Sequence, residues 1–333
     1  MMKALSFAAA LIACGTILCH AQGAEIKLQR TITLPGVTGK FDHFAIDEAG
    51  NRLFAAATGN QSVEILDLAT DKVIGSLKGL GKPHGLAWIP ESGRLFVADG
   101  GKAELDVFEG APLKLAQTIP LSEDADDMVY DAATRLLYVG HGGTNAANPA
   151  RVAVIDAQSL KIVANLPVAT HPEALELDPK GDRIFVNVAD AGEIAVIDGK
   201  TQKVVSTWML KKEKGNTPLA YDAADDLLLV GCRAPSELVV LNGRTGEEIA
   251  AAVTDAGADD LFYNASARTA YLVAGSGAVD SFAVSPEGKL QTTDVTRTAN
   301  GAKTGLLVST QSALYVGIPG AAATIRVYQI HAK

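Results

Sequence analysis

Residues 178–207 read DPKGDRIFVNVADAGEIAVIDGKTQKVVST, from Asp178 to Thr207. A Pro-Gly turn leads into a short run of β-branched and aromatic residues, Arg183 to Val188. A second turn leads to Ile194–Asp198, and a third to Lys203–Thr207. With "ALEL" just upstream (Ala174 to Leu177), the segment holds four strands separated by three turns. Such runs bounded by Gly, Pro and Asp are strands, and helical periodicity does not take hold.

The second strand of this unit recurs along the chain. "NRLFAAA", "GRLFVAD", "TRLLYVG", "DRIFVNV", "DDLLLVG", "RTAYLVA" and "SALYVGI" align on Leu53, Leu95, Leu137, Ile184, Leu228, Ala270 and Leu314, at spacings of 42, 42, 47, 44, 42 and 44 residues. Four strands per 40–45 residues is the signature of a β-propeller blade. The predicted fold is therefore all-β, a seven-bladed β-propeller. The seventh repeat stops after its third strand, near Ile330. Its missing strand is expected from "IKLQRTITL", Ile26 to Leu34, which closes the ring and removes an open sheet edge. No linker-like break divides residues 22–333, so they are expected to form one domain.

The stretch Asp178–Val188, followed by Ile194–Thr207, resembles the YVTN-type family of YncE-like periplasmic propellers. That repeat has an Asp-Pro-x-Gly turn, a Tyr-Val-x-Asn-like strand, then Val-x-Val-Ile-Asp and Thr. The likeness extends over Ile26 to Ile330 and is strongest in the first four repeats; "GLLVSTQSALYVG" in the seventh lacks the Asp-Pro-Gly turn. The resemblance implies the fold and a periplasmic setting. Its members include binding proteins, lactonase-like proteins and enzyme subunits, so it does not imply one activity.

Composition agrees with a large core: 48% of the 333 residues are hydrophobic and 20% charged, and 32 are glycine, which suits many tight turns. The formal charge of -9 repels phosphate backbones and argues against general nucleic-acid binding. Met1-Met2-Lys3 followed by the apolar run Ala4–Leu18 reads as a signal peptide, residues 1–21, with cleavage expected after Ala21. A competing lipoprotein-like box, Leu11-Ile12-Ala13-Cys14, would place a lipid anchor on Cys14. No later segment is long and apolar enough for a membrane span. A periplasmic or secreted location follows from this reading. Cleavage leaves Cys232 as the one cysteine, so no internal disulfide is expected; it reads as a buried strand-end residue.

The loop approaching each innermost strand is expected to open on one face of the channel. In register there stand Asp42-His43, His84, Asp126-Asp127, Glu173, Thr217, Asp259-Asp260 and Lys303-Thr304. The repeated Asp-Asp pairs of blades 3 and 6 are expected to face each other, solvated at a channel mouth. Asp42, His84, Asp126, Asp127, Glu173, Asp259 and Asp260 are the candidate ligand-binding residues. Converging carboxylates destabilise one another unless a cation or proton intervenes. A divalent cation is thus one expectation, with Asp126, Glu173, Asp259 and His84 as candidate ligands; oxygen alone suits Ca²⁺ or Mg²⁺, and an imidazole shifts the preference to Zn²⁺ or Mn²⁺. A solvated rim holding no ion is the other.

His43 and His84 are the candidate proton-transfer groups. His171 stands beside Glu173, and His141 and Arg233 lie on loops of the same face. Arg52, Arg94, Arg135 and Arg183 are expected to pair with acids across hairpin turns. The chain has no dinucleotide fingerprint, Walker loop, nucleophile elbow, Cys-x-x-Cys or haem-attachment motif, which leaves nicotinamide, nucleotide, covalent haem and serine-hydrolase chemistry without support.

Three functions remain open. One is an exported propeller that binds a small molecule, a metal ion or a periplasmic protein partner at the mouth. Another is a metal-assisted hydrolase or lyase, by analogy with gluconolactonase-type propellers, with Asp126, Asp127, Asp259 and Glu173 on the ion and His84 or His43 moving the proton. The third is an interaction scaffold, or a subunit of a periplasmic redox enzyme.

Overall fold

The computed structural model describes residues 25–180 and 182–331. The expected signal peptide and Cys14 lie outside the described residues. Within them the strands form seven four-stranded antiparallel sheets, each in simple up-and-down order. Blade 4, for instance, runs Pro172–Asp178, Arg183–Val188, Glu193–Asp198 and Lys203–Met209 from channel to rim. Blade 7 takes its outer strand from the other end of the chain. Glu25–Thr33 pairs antiparallel with Thr324–His331, from Glu25↔His331 to Thr33↔Thr324. The seven-bladed ring and its closure are as the repeat predicts.

The core is distributed over seven junctions. Alternate residues of one strand point to opposite faces, so each inner strand serves two junctions at once. Leu53 and Ala55 pack against blade 7, while Phe54 and Ala56 pack against blade 2. This is why "RLFAAA" is apolar throughout and buried from Leu53 to Ala57. The outermost strands face solvent on one side and alternate, as in Lys203–Met209.

Trp88, Tyr130 and Trp208 pack against the junctions of blades 1–2, 2–3 and 4–5 respectively. Arg52 and Arg183 reach Asp47 and Asp178 across their turns, at 2.7 and 2.5 Å. Arg94 instead pairs with Glu109 of the next strand and donates to the carbonyls of Ala157 and Gln158 in blade 3. Arg183 also joins two blades, through Asp226 and the carbonyl of Gly243 in blade 5.

Cys232 is fully buried between blades 4 and 5, and burial pushes its thiol up to about 12. A thiol kept neutral is a poor nucleophile. Iodoacetamide is therefore expected to leave Cys232 unmodified in the native protein and to alkylate it after denaturation, read by peptide mass spectrometry.

Candidate functional site

The seven inner strands lose regular pairing where they reach the mouth. Register shifts fall between Pro83 and Leu86, Pro172 and Leu175, Asn216 and Leu219, and Ala258 and Asp260. In blades 1 and 3 the paired strand starts just after the mouth residues, at Phe44 and Met128. Such irregularities re-aim side chains, and here they turn one position per blade into the channel. Gly85 shows how closely the blades approach: a Cβ there would lie 2.3 Å from the carbonyl oxygen of Asp126. A side chain at 85 would push His84 and Asp126 apart.

The resulting pocket, of ≈ 170 Å³, is lined by Asp42, His43, His84, Asp126, Glu173 and Asp259, together with Lys40, Ala174, Thr217, Arg233 and Lys303. Asp127 and Asp260 line instead a second cavity, which His43 and Asp259 share with the first. The two members of each Asp-Asp pair thus have different surroundings. Asp127 accepts a hydrogen bond from the amide of Leu175 at 3.1 Å, and Asp260 one from Gly305 at 2.7 Å. Each amide stands two residues beyond the mouth position of the following blade. The second acid clasps the next blade, at about 1.5–3 kcal/mol for a charged acceptor.

Three histidines balance the acids. His84 Nδ1 bonds Asp42 at 2.7 Å and lies 3.5 Å from Asp126. His171 donates from Nδ1 to the carbonyl of Gly142 at 2.7 Å and turns Nε2 toward Asp126, 3.4 Å away. His43 has Nδ1 3.3 Å from Asp260 and Nε2 3.6 Å from Asp42. Burial opposes charge on all three rings, but nearby carboxylates outweigh it. Asp126 raises His171 to about 9. Asp127, Asp260 and Asp42 hold His43 well above the usual imidazole range, and Asp42 and Asp126 raise His84.

The acids respond in kind. Burial favours neutral Asp42, yet the hydrogen bond of His84 and the charges of His43, His84 and Lys303 bring it to about 2. Burial and then Asp126 lift Glu173 to about 7. Burial lifts Asp127 to about 6 against the pull of His43. In this form the cluster is neutralised by protons on imidazoles.

Two sets of potential metal ligands result, Asp42–His43–Asp126 and Asp126–His171–Glu173, each with ligand atoms within 4.8 Å of one another. Asp126 belongs to both. Asp259 joins neither; Arg233 Nη2 and Lys303 Nζ hold its two oxygens. His84 enters through Asp42, whose carboxylate it orients. His141 is not at the mouth. It is buried in blade 3, accepting from the amide of Ser122 and meeting Asn165.

Sequence reasoning did not single out Glu176. It lines the channel below the mouth, and burial, then Asp127, pushes it up to about 8. Its place three residues after Glu173, on the same inner strand, was the available signal. Between the ordinary 4.5 and about 8 the unfolded chain has released this proton and the folded chain has not. Stability from this group therefore falls as pH rises through that window. Glu176→Gln is expected to raise the melting temperature near pH 8 and to leave it unchanged near pH 4. An equal shift at both values would contradict a neutral carboxyl in the channel.

No family model matches the chain. Among curated proteins it is similar to antigen Lp49 of Leptospira interrogans, 21% identical over 212 residues, covering 57% of this chain and 44% of that protein. It is also similar to the uncharacterized protein YncE of Salmonella typhi, 27% identical over 150 residues, covering 44% of this chain and 41% of that one. Each match thus spans under half the length of the relative. Among solved structures, a chain of the Kuenenia stuttgartiensis hydrazine synthase superposes with a TM-score of 0.77 at 16% identity, covering 90% of this chain and 99% of that one. A chain of the mitotic checkpoint complex gives 0.78 at 11% identity, covering 99% of each. These structural likenesses show the fold alone. Fold and sequence together identify a seven-bladed β-propeller with distant likeness to YncE.

Proposed function

We propose that the protein is an exported, YVTN-type ligand-binding propeller whose channel mouth holds a divalent transition-metal ion between Asp42, His43 and Asp126. The observation that carries this reading is how the imidazoles are held. His171 is fixed through Nδ1 by the carbonyl of Gly142 at 2.7 Å, His43 faces Asp260 with Nδ1 at 3.3 Å, and each turns Nε2 toward mouth carboxylates. Metal-ligating histidines are oriented in this way, with the other ring nitrogen donating to a carboxylate or carbonyl.

The spacings agree. Within the proposed set, His43 Nε2 stands 3.6 Å from Asp42, beyond the usual hydrogen-bond range of about 2.7–3.2 Å. Two ligand atoms on metal bonds of about 2.1 Å at a tetrahedral angle stand about 3.4 Å apart. A mixed nitrogen and oxygen set suits Zn²⁺ or Mn²⁺ better than Ca²⁺. Three protein ligands leave a coordination position for an oxygen of the bound ligand. Export is supported by the signal-like N-terminus and by the family resemblance; with cleavage after Ala21 the exported protein begins at Gln22.

The test is the metal content of full-length protein purified without chelator. One ion of zinc or manganese per chain is expected, with a rise in melting temperature on adding either. Protein without metal, and with no thermal response to Zn²⁺, Mn²⁺ or Ca²⁺, would favour an interaction scaffold instead.

A further inference from the structure

Three cations line the mouth outside the proposed metal site, Lys40, Arg233 and Lys303, and the last two converge on one acid. Arg233, from the second strand of blade 5, donates from Nε to the carbonyl of Ala258 at 2.8 Å and from Nη2 to Asp259. Lys303, on the approach to blade 7, holds the other oxygen of Asp259. One acid from blade 6 therefore ties down two bases, one from each neighbouring blade. Asp259 is nearly buried, its side chain 9% exposed, whereas Arg233 and Lys303 remain 38% and 31% exposed. The acid lies behind and the cations in front. Among the described residues, Nη1 of Arg233 makes no hydrogen bond.

The pocket is thus two-sided. Blades 1–4 present Asp42, His43, His84, Asp126 and Glu173 with Lys40; blades 5–7 present two cations against one acid. That second side carries one excess positive charge, which complements a monoanion better than a dianion. Arginine donors in a fixed fork match a planar carboxylate. At ≈ 170 Å³ the pocket falls below the roughly 300–1,000 Å³ typical of drug-sized ligands.

We propose that the mouth binds a small monocarboxylate bearing a hydroxyl or keto oxygen on the adjacent carbon, its carboxylate on Arg233 and Lys303. The second oxygen faces the metal across the pocket. That half of the inference rests on the metal reading, and the carboxylate half rests on Arg233, Lys303 and Asp259 alone.

Calorimetric titration of the full chain tests both halves. With Zn²⁺ loaded, lactate is expected to bind about tenfold or more tightly than lactamide, its neutral analogue, as charge-assisted hydrogen bonds require. Arg233→Gln and, separately, Lys303→Gln are expected to erase that preference while the metal content stays unchanged. Equal affinity for lactate and lactamide, tighter binding of inorganic phosphate than of lactate, or variants that discriminate like wild type would each overturn the proposal. Acetate, titrated into metal-depleted protein, isolates the carboxylate half. Binding lost in Arg233→Gln supports that half even if no metal site exists, and absence of binding to wild type overturns it even if the metal is present.

Discussion

Exchanging Asp126 for alanine is expected to abolish binding of the proposed metal ion at the mouth. The affinity falls by about 100-fold or more, since even supporting groups around a metal contribute about 10–100-fold. Asp126 is the residue common to both ligand sets, with Oδ1 beside His84 and Oδ2 beside His171. Among the described residues, no other carboxylate meets both. The fold is expected to hold, because the backbone amide of Asp126 bonds the carbonyl of Gly140 at 2.9 Å and alanine keeps that bond, while the carboxylate contacts with His84 and His171 are lost and lower the melting temperature. Asp259→Asn provides the contrast. It frees Arg233 and Lys303 and leaves Asp42, His43 and Asp126 in place, so the ion should remain. Competition titration with a chromophoric zinc chelator reads both variants. Retention of wild-type affinity by Asp126→Ala would remove Asp126 from the site.

The second large effect concerns closure of the ring. Ile32, on Glu25–Thr33, is 1% exposed and packs between blades 7 and 1 with Leu34, Leu53 and Tyr315. Ile32→Ala leaves a cavity costing about 2–5 kcal/mol, which lowers the melting temperature by about 3–8 °C in a domain of this size. Ile74→Ala is the control. Ile74 lies on the outer strand of blade 1, 57% exposed, and its loss should be nearly neutral. Deleting residues 25–34 goes further, because it bares the pairing edge of Thr324–His331. An unpaired edge recruits other chains, so the truncated protein is expected to self-associate in size-exclusion chromatography. Melting unchanged in Ile32→Ala would mean the ring does not depend on this strand.

The ring was legible because its signals are local and repeated. Each blade spells strand, turn and strand in neighbouring residues, and the incomplete seventh repeat announces its partner at the other terminus. The mouth was legible to one residue per blade, since register carries Asp42, His84, Asp126, Glu173 and Asp259 to one opening. Register does not carry the difference between adjacent residues. Asp126 and Asp127 look alike in sequence, yet one faces the pocket and the other binds the amide of Leu175. The interrupted pairing at the mouth decides which, and turn composition does not reveal it. The tie of Asp259 to Arg233 and Lys303 was equally hidden, because it joins blades 5, 6 and 7 through long side chains whose reach the repeat leaves unspecified. His141 shows the converse, a polar residue on an enlarged loop that packs inward.

The most direct test of the whole account is anomalous diffraction at the zinc absorption edge from crystals of the full-length chain grown with Zn²⁺. A single strong peak is expected in the channel mouth, about 2.0–2.2 Å from His43 Nε2 and from carboxylate oxygens of Asp42 and Asp126. A mouth without an anomalous peak, its histidines still paired to Asp42, Asp126 and Asp260 as hydrogen-bond donors, would contradict it.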